Sequence, residues 1–199
     1  MLCGLPDRTR WVGRRDHALL VLAVQTGLRV SELTGLCCGD IELATGAHVR
    51  CLGKGRKTRC TPLSKPTVAV LDVWMQERTG QPQDPLFPTS KGAPLSRAAV
   101  WLLVAKYADA ASEHCPSLRS KTISPHILRH TTAMNLLQSG VDATVIALWL
   151  GHAQTRTTDV YVHADLTTKE RALARTTPPT VAPGRYHPPD TLLAFLEGL

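Results

Sequence analysis

The sequence predicts a mixed α+β fold, mainly α-helical, with one small three-stranded antiparallel sheet. Three observations carry this expectation. Segments of helical length and apolar composition recur at 14–26, 67–78, 96–111 and 126–139. One stretch, 39–64, is instead made of β-favouring runs broken at Thr45-Gly46 and at Gly53-Lys54-Gly55. Finally, 43% hydrophobic and 20% charged residues in a chain of 199 fit one buried core.

The elements follow in order. Residues 1–12 read as a short, poorly ordered lead-in. "RRDHALLVLAVQT" is a helix with Gly27 as its C-cap. "VSELTGL" reads as a second helix entered at Ser31. The three short strands come next, and Pro62 and Pro66 end them. "TVAVLDVWMQER" has helical spacing despite its β-branched residues. A Pro/Gly/Ser loop leads to the helix 96–111, with Ser96 as N-cap. A second loop, 111–125, precedes "HILRHTTAMNLLQSG", which Gly140 ends. Asp142 suits the N-cap of a shorter helix. "TTDVYVHADLTTKERALAR" adds one or two helices. The compact domain is expected to span 13–176, followed over 177–199 by a proline-rich linker and the short amphipathic helix "DTLLAFLEGL".

Charge narrows the function. Lys and Arg total 23 against 16 acids, giving +7 and a pI near 9.3. That favours a polyanionic partner, nucleic acid first. Cys3, Cys37, Cys38, Cys51, Cys60 and Cys115 form no C-x-x-C pair, which fits a reducing compartment. No apolar signal region opens the chain, and "ALLVLAV" is far too short to span a bilayer. A cytoplasmic location and no membrane partner are therefore expected.

The densest motif is "HILRH". His126 and His130 stand at i and i+4, as zinc ligands often do. Yet Ile127 occupies the place a metalloprotease gives its catalytic Glu, and Arg129 would lie beside the cation. No metal is expected. A plainer reading leaves one histidine solvated and the other hydrogen-bonded in the core. An anion reading gains from residues elsewhere. Arg129 offers a planar fork for two phosphate oxygens. His126 can exchange a proton near neutral pH. His152 follows a glycine, Tyr161 stands nine positions later, Arg29 opens a helix, and Lys54 sits between two glycines.

Taken together, "TGLRVSEL", "GKGRKTR", "HILRHTTAMNLLQSG", "LGH" and "TTDVYVHADL" resemble the catalytic domain of the tyrosine recombinases, the phage-integrase family, over roughly 13–176. The resemblance implies a DNA breaking-rejoining fold. It makes Arg29 and Arg129 the active-site arginines, Glu32 the acid that steadies them, and Lys54 the lysine of a β-turn. It makes His126 and His152 the site histidines and Tyr161 the nucleophile. His130 is read as support for the helix turn, with Thr131 and Thr132. Arg56, Lys57 and Arg59 are read as contacts to the DNA backbone. Tyr107 and Trp149 read as packing residues, and Tyr186 lies in the linker.

The chemistry makes sense of these residue types. A covalent phosphotyrosine preserves the bond energy of a cut strand. Two arginines can clamp transition-state charge without a metal. No cofactor and no small-molecule substrate are expected. The resemblance implies double-stranded DNA and further copies of the chain as partners, as a tetramer on DNA through the terminal helix; docking of that helix on its own chain stands as the alternative. Few residues precede the first helix, so the N-terminal DNA-binding domain usual in the family is expected to be absent. A topoisomerase would share the chemistry, but the short "LGH…Y" ending argues against it. The remaining alternative is a vestigial integrase that holds DNA without cutting it.

Overall fold

The computed structural model describes residues 2–53 and 58–151. Its centre is helix α1 (Trp11–Thr26), which buries Ala18, Leu19, Leu20, Leu22 and Ala23. The helix starts at Trp11, not at Arg14, because the Trp11 indole packs on Trp74 with ring centroids 5.6 Å apart. The lead-in is not loose either. Residues Leu2–Gly4 form a 3₁₀ turn, and Leu2, Cys3 and Leu5 pack against the core. Their apolar character is the signal that a polar-looking start conceals.

Gly27 ends α1 in the left-handed conformation (φ 63°), with its N–H on the Ala23 carbonyl. Helix α2 (Val30–Thr34) follows at once. Arg29 is its N-cap, so the helix enters one residue earlier than expected at Ser31. Glu32, at the third position, reaches back to accept the Arg29 backbone N–H at 2.8 Å. An arginine has no acceptor to return the favour, so this is half of a capping box.

The sheet is three-stranded and antiparallel, in the order β1 (Ile41–Glu42), β2 (His48–Leu52), β3 (Thr58–Pro62). Its register pairs Val49 with Thr61 and Cys51 with Arg59. Val49, Cys51 and Thr61 are buried, so this alternation defines the inner face. Helix α3 (Lys65–Arg78) begins two residues before the expected Thr67. Pro66 sits in its first turn, where a missing N–H costs nothing. Helix α4 (Arg97–Ser112) is capped as expected, with Ser96 Oγ accepting the Ala99 N–H at 3.0 Å. The expected loop at 111–125 contains a further 3₁₀ turn, Pro116–Leu118.

Helices α5 (Pro125–Gln138) and α6 (Ala143–Leu150) close the described part. Ser124 and Asp142 cap them through Ile127 N and Thr144 N. Leu71, Trp74, Leu86, Val100 and Val104 complete the main core around α1. Ala133, Leu137, Ile146 and Leu150 form a second, smaller cluster between α5 and α6. The helices expected over 157–175, the linker and the terminal helix lie outside the described residues. No helix among the described residues is long and apolar enough to cross a membrane.

Candidate active site

The last carbonyls of a helix have no partner within it and attract cations and donors. This explains how α5 and α6 meet α1. Thr132 Oγ1 donates to the Val24 carbonyl at 2.7 Å, Trp149 Nε1 to Thr26 at 3.1 Å, and Arg129 Nη1 to Gly27 at 2.7 Å. Three side chains from α5 and α6 thus satisfy carbonyls at the end of α1. Trp149 is therefore more than packing: its indole N–H is a cap. Gly27 has no room for a side chain here, since a Cβ would lie 2.8 Å from Leu150 Cδ2 and 3.2 Å from Thr132 Cβ.

Arg129 also reaches the end of α6, with Nη2 on the Leu150 carbonyl at 2.6 Å. The residue is 5% exposed. Its cation thus rests on the negative ends of α1 and α6. A cation in the first turns of α5 opposes that helix's own dipole, and the length of the Arg129 side chain carries the charge away to these carbonyls. Arg29 arrives from the other side. Its Nη2 donates to the Gly151 carbonyl at 3.3 Å and its Nη1 to Glu32 Oε1 at 3.0 Å. Two arginines 100 positions apart in the chain therefore converge on adjacent carbonyls, those of Leu150 and Gly151. The next residue in sequence is His152.

His126 does not point inward with Arg129. It is exposed, and its Nε2 lies 2.7 Å from His130 Nε2, the two rings meeting edge to face. That bond needs one proton between two nitrogens, so one ring donates and the other accepts. Burial, then the neighbouring His126 and Arg129 charges, hold the His130 imidazole below its ordinary range. Thr131 Oγ1 returns to the Ile127 carbonyl at 2.9 Å, within its own helix.

Glu32 is buried and joins the site to the sheet. Arg59 holds it with two bonds, Nη1 to Oε1 at 2.9 Å and Nη2 to Oε2 at 2.8 Å. Burial pushes the Glu32 carboxyl up, but the hydrogen bonds from Arg59 and Arg29 outweigh it and leave it below the usual carboxylate range. Arg59 was expected on the DNA backbone with Arg56 and Lys57. Its side chain is instead 13% exposed and turned into the protein. The sheet gives the reason. Arg59 lies two residues before the buried Thr61, on the inner face of β3. Strand alternation could have separated it from the cationic run, but the run hides it in the sequence.

Lys54, Arg56, Lys57, His152 and Tyr161 lie outside the described residues. Tyr107, the rival tyrosine, is buried, and its hydroxyl donates to Asp16 Oδ2 at 3.0 Å. Burial and the Asp16 charge push its pKa up to about 12, which suits a structural hydroxyl and not a nucleophile. Among the described residues no cluster of three or more His, Cys, Asp or Glu could hold a metal ion. A cavity of about 720 Å³ between α1 and α3, lined by Arg14, His17, Val73 and Glu77, holds none of the site residues.

A helical domain with a small antiparallel sheet, and two arginines brought to one glycine turn, defines the class of the protein. Residues 8–167 match the phage integrase family, and the chain belongs to that family. It is 52% identical over its whole length to a putative integrase/recombinase of Sinorhizobium fredii, y4rC, of which it covers 60%. It is 38% identical to the tyrosine recombinase XerD of Yersinia pestis over 75% of this chain and 50% of that one. It is 40% identical to the tyrosine recombinase XerC of Pelobacter propionicus over 83% and 53%. The chain thus spans 50–60% of the length of these relatives. Among solved structures it resembles the XerH site-specific recombinase, bound to a palindromic difH substrate after cleavage. The TM-score is 0.72 at 29% identity, over 87% of this chain and 50% of that one.

Proposed function

We propose that the chain is the catalytic part of a site-specific recombinase that cuts and rejoins double-stranded DNA through Tyr161. The observation that carries this reading is the meeting of Arg29 and Arg129 at Leu150 and Gly151, one residue before His152. Three motifs far apart in sequence come together there, as one phosphate site requires. The Tyr161 hydroxyl attacks the scissile phosphorus and forms a 3′-phosphotyrosyl bond, while the bond to the 5′ oxygen breaks. His126 or His152 takes the tyrosine proton, and Lys54 gives one to the departing 5′ oxygen. Arg29 and Arg129 stabilise charge on the non-bridging oxygens. A new 5′-hydroxyl then attacks the phosphotyrosine and reverses these steps. Energy is conserved in the covalent bond, so neither a metal nor a nucleotide cofactor enters.

DNA is the partner the charge supports, and XerH was solved on its DNA substrate. We place the protein in the cytoplasm, which its six free cysteines fit, and as a homotetramer on paired sites. The test is a nicked suicide substrate, on which a cleaved strand cannot be rejoined. A covalent adduct should appear on a denaturing gel and vanish in Tyr161→Phe. Lys54→Ala should slow it by about 10²- to 10⁴-fold with binding intact. DNA binding with no adduct at all would mean a protein that holds DNA without cutting it.

A further inference from the structure

We propose that Arg59 is a positioning residue: by holding both oxygens of Glu32, it keeps Arg29 from closing on that carboxylate and leaves it turned to the substrate. This rests on the strand-cleavage reading above. A carboxylate has about four acceptor positions. At Glu32 all four are filled, by Arg59 Nη1 and Arg29 Nη1 on Oε1 and by Arg59 Nη2 and Arg29 N on Oε2. The division between the arginines is unequal. Arg59, with its side chain 13% exposed, uses both terminal nitrogens. Arg29, 36% exposed, spends only one terminal nitrogen on Glu32.

Removal of Arg59 would change that balance. The planar fork of Arg29 matches a carboxylate bidentately, and with Arg59 gone one acceptor position on each Glu32 oxygen would stand open, the Arg29 backbone N–H alone remaining on Oε2. The guanidinium would then turn from the phosphate toward Glu32. A second contact ties Arg59 to the same turn. Its Nε donates to the Trp149 carbonyl at 3.3 Å. Its guanidinium also lies against Gly151, where a Cβ would be 2.9 Å from Arg59 Nη1 and 3.0 Å from Cζ. Gly151 is left-handed (φ 63°) and its carbonyl receives Arg29 Nη2. Arg59 thus braces Glu32 and the Leu150–Gly151 turn at once. A lysine would keep the charge and lose the fork.

The experiment uses the full chain and single-turnover cleavage of the suicide substrate at saturating DNA. It compares wild type, Arg59→Met, Arg59→Lys, Glu32→Gln and the Arg59→Met/Glu32→Gln pair. A second substrate carries a methylphosphonate at the scissile position, where a neutral methyl replaces one charged oxygen. Arg59→Met should cleave about 10²-fold more slowly, the scale of a small misplacement. Its DNA affinity and the salt dependence of that affinity should stay at the wild-type values. The defect should shrink on the methylphosphonate, which needs less charge stabilisation. The paired variant should cleave no more slowly than Arg59→Met alone. Should Arg59→Met fail to fold, Arg59→Lys takes its place and should show the same pattern, with a smaller defect. A salt slope lower by about one would make Arg59 a phosphate contact and overturn the proposal. Equal defects on both substrates, or unchanged cleavage, would also overturn it. A wild-type chain that forms no adduct would overturn the strand-cleavage reading, and this inference with it.

Discussion

Asp16 and Glu32 are both buried carboxylates gripped by arginine, but they serve different ends. Asp16 accepts from Arg15 Nη2 at 2.7 Å and from Tyr107 at 3.0 Å, while Arg15 Nη1 donates to the Pro88 carbonyl at 2.9 Å. That network is closed, and it locks α1 to α4 and to the loop between α3 and α4. Glu32 is gripped as firmly, but one of its partners, Arg29, keeps a third of its side chain in solvent. The difference teaches where polar burial secures a fold and where it presents a charge. A buried ion pair adds little net stability over an apolar pair, whereas loss of one partner costs much. Only Glu32 connects to groups that could meet a substrate.

Asp16→Ala should break the comparison most severely. It strands Arg15 and Tyr107 and should cost about 3–5 kcal/mol of unfolding free energy by chemical denaturation. Cleavage per folded molecule should not change; a loss there would give the core network a part in the site. Tyr107→Phe removes one bond to the same carboxylate and should cost about 1.5–3 kcal/mol. It should leave the covalent adduct intact, in contrast to Tyr161→Phe. Glu32→Gln keeps one oxygen to accept but leaves the Arg59 charge without its counter-ion, and should cost about 1.5–3 kcal/mol at neutral pH, less than Asp16→Ala because solvent screens Arg29. That effect depends on pH. The folded pKa of Glu32 lies below its ordinary value of 4.5, so its contribution is complete above that value and fades as pH falls through the folded one. The stability gap between wild type and Glu32→Gln should therefore be constant near neutrality and close in acid. A gap that widens in acid would contradict the assigned ion pairing.

Much of this arrangement was legible in the sequence. Breaks in the β-favouring sequence at Thr45-Gly46 and Gly53-Lys54-Gly55 told the three strands apart, and Ser96 and Asp142 marked helix starts through their capping chemistry. Boundaries were missed where tertiary contacts overrode local signals, as when Trp11 extends α1 to reach Trp74. The arginine and histidine candidates came from the resemblance of their motifs to the tyrosine recombinases, but their directions did not. Arg129 reads as a cation at a helix start, and only the long reach of its side chain carries it to the ends of α1 and α6. Arg59 reads as one cation among several, because pairing with Glu32 is a contact across 27 positions. Arg15 and Asp16 look like surface charges beside Arg14, since their third partner, Tyr107, lies 91 residues from Asp16.

The central claim is that one tyrosine, Tyr161, forms the bond to DNA. The most direct measurement digests the protein–DNA adduct with protease and identifies the modified peptide by mass spectrometry. The expected result is a nucleotide linked through a 3′ phosphate to Tyr161 in "TTDVYVHADL". Linkage to Tyr107, Tyr186 or any serine would contradict it, as would a peptide map without a DNA-linked residue from a substrate that the protein has cut.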